Sequence, residues 1–323
     1  MKTILHITSI LLLAIFVQGC SSSESDLSPE DHLIPYKTVM EKTLIINVIN
    51  QSVALNSVFY DLISDSLEQV QFAKRFLSDT WFYPSQSGYF FVENYLGDCL
   101  VDAGYPEIEG TNRYDAVNDD GYFYVQEMIE LATHNGQGWV TYSFENPATG
   151  VAEHKSSFIK AIATANWYIG SGYYTSDLVG MDAMNLNEAN DFEIQVLVNT
   201  MAQGISAIQL EYESSFAQSA LLEIVHYVTF NSDMSGYFFI YDMEGLCIAH
   251  GENHHLENTN LWNYEDPAGN LVIQLLAHKV QEEGSGFVDY YWINPATEEQ
   301  ESKRAYVTAI EGTNWFIGSG FYH

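Results

Sequence analysis

Apolar residues from Tyr36 to about Ser64 recur at helical spacing. Ile45, Val48, Ile49, Leu55, Val58, Phe59, Leu62 and Ile63 form one broad stripe, which predicts a long amphipathic helix. A second helix is predicted from Ser66, with Gln69 three residues on as a capping box, running through Phe72, Phe76 and Leu77. The period then shortens to that of strands. Aromatic and β-branched runs cover Tyr89 to Glu93, Cys99 to Asp102, Trp139 to Phe144, Ser156 to Ile162 and Trp167 to Tyr173. Turn signals at Asn135-Gly136, Asn146-Pro147 and Gly170 separate them. Between the second and third runs, Tyr122, Val125, Met128, Ile129 and Ala132 predict one more helix, closed by Gly136. The connections are mostly too short for crossovers, so the sheet must be largely antiparallel and the class α+β.

The whole pattern occurs twice. SGYFFVENYLGDC from Ser87 meets SGYFFIYDMEGLC from Ser235, and NWYIGSGYY meets NWFIGSGFY, every pair 148 positions apart. Gly88 matches Gly236, Cys99 matches Cys247, Lys155 matches Lys303 and Trp167 matches Trp315, without a gap. A period of this size is that of a whole domain, not of a solenoid unit. The second copy repeats the helix start at Ser215 and Gln218. Domains are therefore placed at 36–176 and 177–323, and each half is expected to fold alone.

The start of the chain changes this picture. Lys2 and an apolar run ending at Val17-Gln18-Gly19-Cys20 resemble a lipoprotein signal peptide over residues 1–20, with Cys20 as the acylated residue. Residues 21–35, beginning Ser21-Ser22-Ser23, read as a flexible tether. The protein is thus expected in the cell envelope, extracytoplasmic, at the outer membrane or the periplasmic face, held to the membrane through lipid only. The remaining cysteines, Cys99 and Cys247, occupy equivalent places and are read as buried small hydrophobes. A formal charge of −32, from 43 acids against 11 Lys and Arg, repels phosphate backbones and argues against nucleic acid.

The order GYFFV, a Gly turn, EGTN, DDG, a helix, GQGWVTYSFENP, a Lys-containing strand and NWYIGSGYY resembles a single Cache domain, over nearly all of both halves. The resemblance implies two tandem PAS-like Cache domains, each a long N-terminal helix packed on a mostly antiparallel five-stranded sheet. It also implies a pocket between sheet and loops for an amino acid or short organic acid. The function expected is that of an exported, lipid-anchored sensory protein, acting through a membrane receptor or transporter partner because nothing after the second repeat could carry a signal across a membrane. The alternative is a structural or protein-interaction lipoprotein whose Cache folds hold no pocket.

Candidate chemistry is sparse. His250, His254 and His255 stand near Glu252 and Glu257, yet a solvated loop explains them better than a metal site. Asn118-Asp119-Asp120-Gly121 lacks the upstream spacing of a calcium loop. No nucleophile elbow, Walker motif or zincin helix occurs, so neither an enzyme nor a cofactor is expected. Lys155 and Lys303 are the only cations matched between repeats, and the resemblance sets this Lys on a strand bordering the pocket. With Tyr142, Tyr290 and Tyr306 they make the expected ligand-binding set, and the second domain, around Lys303, is the one expected to hold a small carboxylate-bearing ligand.

Overall fold

The computed structural model describes residues 33–323, so Cys20 and the signal segment lie outside the described residues. Helix α1 (Tyr36–Asp61) and α2 (Ser66–Leu77) lead into strands β1 (Phe90–Asn94) and β2 (Cys99–Asp102). Helix α3 (Tyr124–His134) precedes β3 (Gln137–Asn146), β4 (Val151–Ile162) and β5 (Trp167–Tyr174). The second repeat gives α4 (Leu186–Glu211), α5 (Ser214–Tyr227), a small ribbon of β6 (Thr229–Phe230) and β7 (Gly236–Tyr237), then β8 (Phe239–Asp242) and β9 (Cys247–His250). Helix α6 (Val272–Glu283) and strands β10 (Ser285–Ile293), β11 (Gln300–Ile310) and β12 (Trp315–Tyr322) complete it.

Each repeat builds a five-stranded sheet, in the orders β2-β1-β5-β4-β3 and β10-β11-β12-β8-β9, with every neighbouring pair antiparallel. The α+β class, the strand count and the tandem arrangement agree with the sequence pattern. Helix starts differ in detail. The cap of α2 is Asp65, whose side chain accepts from the amides of Leu67 and Glu68, and Gln69 instead donates to the Ile63 carbonyl. In the second repeat α5 begins at Ser214 after Glu213, with no side-chain cap.

Alternation along the strands gives each sheet two apolar faces. On one face Phe90, Val92, Phe158, Ile169 and Tyr173 pack against α1, and Phe238, Ile240, Tyr306, Ile317 and Phe321 against α4. The two long helices also pack on each other, and the short helices cross over: α2 lies on α4, and α5 on α1. Phe72 of α2 meets Tyr212 and Phe216 of the other repeat at ring-centroid distances of 5.9 and 6.2 Å. Gly204 of α4 permits this approach, because a Cβ there would stand 2.5 Å from the Phe76 ring. Between α1 and α4, Thr200 donates to Asn47 at 2.9 Å, and Gln51 of α1 is buried beside them.

The consequence is a single core shared by both repeats. Two independently folding halves were expected; this reciprocal packing weighs against that, since separation would expose the apolar faces of all four helices. Two contacts reach across the expected boundaries. Ile34, assigned to the tether, pairs with Met184, with backbone bonds of 2.7 and 2.9 Å. Asp177 belongs to the first repeat, where Ser85 and Ser87 each donate to its carboxylate at 2.6 Å. Among the described residues no helix is long and apolar enough to cross a membrane.

Candidate functional site

The other face of each sheet is roofed by the third helix of its repeat, α3 or α6. In the first repeat, alternation sends Tyr89, Phe91, Glu93, Tyr142, Phe144 and Lys155 to this face. Tyr142 and Lys155 stand directly opposite each other across the β3–β4 ladder. The run Gly170-Ser171-Gly172 on β5 makes room for them. A Cβ at Gly170 would stand 2.4 Å from the Phe91 ring, and one at Gly172 would stand 2.6 Å from Ser157 Oγ and 3.0 Å from Lys155 Cε. Two glycines thus let a ring and a lysine stem lie flat across the strand.

Lys155 is 1% exposed. Its ammonium lies 3.9 Å from the Tyr89 ring centroid, 5.2 Å from that of Tyr174, 5.3 Å from Phe91 and 5.5 Å from Phe144. Among the described residues no carboxylate oxygen comes within 4.0 Å of it. Asp102 is the opposite charge that acts on it most strongly, and its Oδ1 is already occupied by the amides of Gly104 and Tyr105 at 3.0 and 2.8 Å. Burial holds the Lys155 pKa down and the Asp102 pKa up, against their mutual attraction.

Two more charges enter from other elements. Arg113, on the loop between β2 and α3, donates to the Tyr124 hydroxyl and lies 5.5 Å from the Phe144 ring centroid. Tyr124 in turn stacks on Tyr142 at 4.4 Å. Glu93 accepts from the Tyr168 hydroxyl, and burial pushes its pKa up to about 7. Lys155, Arg113, Asp102 and Glu93 therefore line one small cavity of about 10 Å³, room for roughly one water. Such a site is equipped to bind a charged small molecule. It shows no nucleophile held by a base.

The second repeat keeps the aromatic cage and loses the charges around it. The Lys303 ammonium lies 4.0 Å from the Tyr237 ring centroid and 4.8 Å from that of Tyr322, and donates to the Tyr322 hydroxyl at 3.3 Å. Burial drives its pKa well below the ordinary lysine value, with Glu252 opposing the shift. Tyr241 replaces Glu93, Phe316 replaces Tyr168, Leu261 replaces Arg113 and Val272 replaces Tyr124. His250 stands where Asp102 stood and does the same structural work: its Nδ1 accepts from the Asn253 amide at 2.9 Å. Burial, with Lys303 and His254 adding to it, lowers the His250 pKa to about 3, so this acceptor is neutral. The remaining cavity, also about 10 Å³, is lined by Ile273, Leu276, Tyr290 and Trp292 among others.

Of the five side chains expected to bind ligand, Tyr142 with Lys155, and Tyr290 with Lys303, come together as facing pairs. Tyr306 does not join them. It lies three residues beyond Lys303 on one strand, an odd separation that turns it to the α4 face, where it packs on Phe287 at 5.0 Å. A carboxylate was expected at the second site; a second cation in the cavity beside the buried lysine, Arg113, is present in the first repeat and is Leu261 in the second. Cys99 and Cys247 are buried free thiols, as expected. The histidines do not converge, since His250 points inward while His254 stacks on His226 at 3.8 Å and His226 pairs with Glu257 at 2.6 Å.

Arg113, Glu93, Asp102 and Tyr124 were not singled out from sequence. Searching for cations matched between repeats excluded Arg113 by construction. Its scarcity was the usable signal, as one of only 11 Lys and Arg in the chain.

A family model described as Single Cache domain 2 matches residues 48–182 and again 186–323. The chain is similar to the sensor histidine kinase MctS of Rhizobium johnstonii, at 29% identity over 144 residues, covering 43% of this chain and 30% of that protein. It is also similar to the methyl-accepting chemotaxis protein McpP of Pseudomonas putida, at 26% identity over 102 residues, covering 32% and 19%. The matched region is thus less than a third of either relative's length. Among solved structures, a periplasmic sensor domain of a chemotaxis protein is 32% identical, covering 42% of this chain and 96% of that one, with a TM-score of 0.38. A Cache chemosensory domain described for carboxylic acid recognition is 27% identical, covering 42% and 95%, with a TM-score of 0.39.

Proposed function

Because the chain belongs to the single Cache domain 2 family twice over, we propose that it is an extracytoplasmic sensory protein whose first domain binds a small carboxylate-bearing molecule. The observation that carries this reading is the Lys155 ammonium, buried among aromatic rings with no carboxylate oxygen of the described residues within 4.0 Å, in a cavity it shares with Arg113, whose guanidinium donates to Tyr124. A ligand carboxylate placed between them would supply charge-assisted hydrogen bonds to both cations and relieve the cost of burial. Glu93 and Asp102 would then face the rest of the ligand, where an amino or hydroxyl group would suit them.

Entry requires movement, because the present cavity is far smaller than an organic acid. The loop that carries Arg113 is the element to move, and Tyr114, Val117, Tyr122 and Phe123 on it are exposed. For the second domain the apolar floor favours a different role, a side-chain-filled scaffold that holds α4 and α5 against the first domain. No reaction is assigned to either site. The lipid anchor at Cys20 belongs to the same proposal: the protein is held at the membrane by lipid and passes its ligand state to a receptor, kinase or transporter partner.

The test is to identify small molecules carried through purification by mass spectrometry, then to measure thermal shifts with short organic acids and amino acids. Ligand at a hundred times its dissociation constant stabilises by about 2.7 kcal/mol. Stabilisation by carboxylates supports the reading. Binding only of amines or purines, or of nothing, refutes the carboxylate. Weighing the N-terminal peptide of detergent-extracted protein tests the anchor separately, since an unmodified peptide starting elsewhere excludes it.

A further inference from the structure

The charges gathered in the first cavity cancel in pairs. Lys155 and Arg113 bring two positive charges, and Asp102 and Glu93 two negative ones. Lys155, Asp102 and Glu93 are 1%, 4% and 3% exposed, so solvent screens them little. A third carboxylate, that of a bound ligand, would leave this group with one negative charge in excess. Excess charge in a site shut off from water is costly, and a titratable group there takes up a proton in preference to bearing it.

Glu93 on β1 is the group left free to take that proton. It is faced by Asp102 and Cys99 of β2, Tyr168 of β5, Arg113 of the loop before α3, Tyr124 of α3, Tyr142 of β3 and Lys155 of β4. Burial raises the pKa of Cys99, Tyr124, Tyr142 and Tyr168, so these four already carry their protons. Asp102 Oδ1 accepts from the amides of Gly104 and Tyr105, two bonds that favour its ionised form. Arg113 stays a guanidinium, and a ligand carboxylate beside Lys155 would hold that side chain as an ammonium. Glu93 has no such commitment. Among the described residues no cationic nitrogen comes within 4.0 Å of its carboxylate, which accepts from the neutral Tyr168 hydroxyl. Burial pushes its pKa up to about 7, so a proton reaches it near neutral pH.

We infer that a small carboxylate enters the first site together with one proton, and that Glu93 carries the proton in the complex. This coupling rests on the ligand proposed above for the first domain and adds its regulation by pH. Once protonated, Glu93 can donate a hydrogen bond as well as accept one, so it meets a ligand oxygen without repulsion. The complex then holds more protons than the free protein, and affinity falls as pH rises. The loss is roughly fivefold from pH 7 to pH 8 and about tenfold for each further unit. The second repeat lacks the device, because Tyr241 stands at the place of Glu93.

The test is calorimetric titration of the whole chain with acetate, lactate and alanine, which present a carboxylate alone, with a hydroxyl and with an amino group. All three carboxyls are ionised at about pH 7 and above, so any proton taken up comes from the buffer. Titrations at about pH 8 in HEPES and in Tris, which differ in ionisation enthalpy, count that proton from the difference in heat. The expected result is uptake of about one proton per bound carboxylate, with the roughly fivefold weaker affinity at pH 8 than at pH 7. Glu93→Gln should bind with no proton uptake and with a Kd that no longer changes over this range. Wild-type binding without proton uptake overturns the coupling, whether or not the Gln variant folds, and leaves the ligand reading standing. Uptake that persists undiminished in Glu93→Gln overturns the assignment to Glu93. If none of the three acids binds at either pH, the ligand reading itself fails and the coupling falls with it.

Discussion

The two sheet-side sites share a backbone, an aromatic cage and a buried lysine, yet one gathers four charges and the other has one. At the first site, Arg113, Asp102 and Glu93 surround Lys155. At the second, Leu261, His250 and Tyr241 take their places, and a hydrogen bond to Tyr322 is what remains for Lys303. Both lysines are placed by strand pairing opposite a tyrosine, so the lysine alone marks the fold and not the ligand. What separates the two cavities is a set of charged partners drawn from three elements: Glu93 on β1, Asp102 on β2 and Arg113 on the loop before the third helix.

Four substitutions sharpen this contrast. The largest effect belongs to Glu93. Burial raises its carboxyl from 4.5 to about 7, so the folded state holds the proton more tightly than the unfolded one. That contribution is present below about pH 4.5 and is lost as pH rises through about 7, a change of order 3 kcal/mol. Glu93→Gln should flatten this slope in urea melts taken on either side of the window. A slope that persists unchanged would assign it to another group.

The next concerns Lys303. Replacing it with Met removes a buried lysine that no carboxylate of the described residues pairs with, and should raise stability by about 1–4 kcal/mol. Lys155→Met should gain less, because it strips Asp102 of its nearby positive charge. Equal gains from the two changes would erase the distinction between the sites. The smallest effect is that of Tyr168→Phe, which copies the second repeat's Phe316. It leaves Glu93 without its donor and should cost about 1–2 kcal/mol, most of it at pH values where Glu93 is ionised. A cost independent of pH would mean that the hydroxyl acts through packing alone.

The fold was legible because the helical and strand periods are clean and occur twice, so each repeat checks the other. The repeat also misled in two ways. It made two autonomous domains look natural, because the apolar faces of α2 and α5 do not announce that each packs on the long helix of the other copy. It also directed attention to matched residues, which found Lys155 and Lys303 but passed over Arg113, whose counterpart is Leu261. Tyr306 failed for a local reason, the odd spacing from Lys303 along a strand. The capping of α2 by Asp65 in place of Ser66 is a shift of one residue, and such shifts carry no consequence for the site.

The account stands on the claim that charge partners, not the shared lysine, make the first domain the binding one. Calorimetric titration of the most stabilising carboxylate tests it directly, using the whole chain with Arg113→Leu and Lys303→Met as separate variants. The account predicts one binding site per chain, lost with Arg113→Leu and unchanged with Lys303→Met. Binding that survives Arg113→Leu and disappears with Lys303→Met would contradict it.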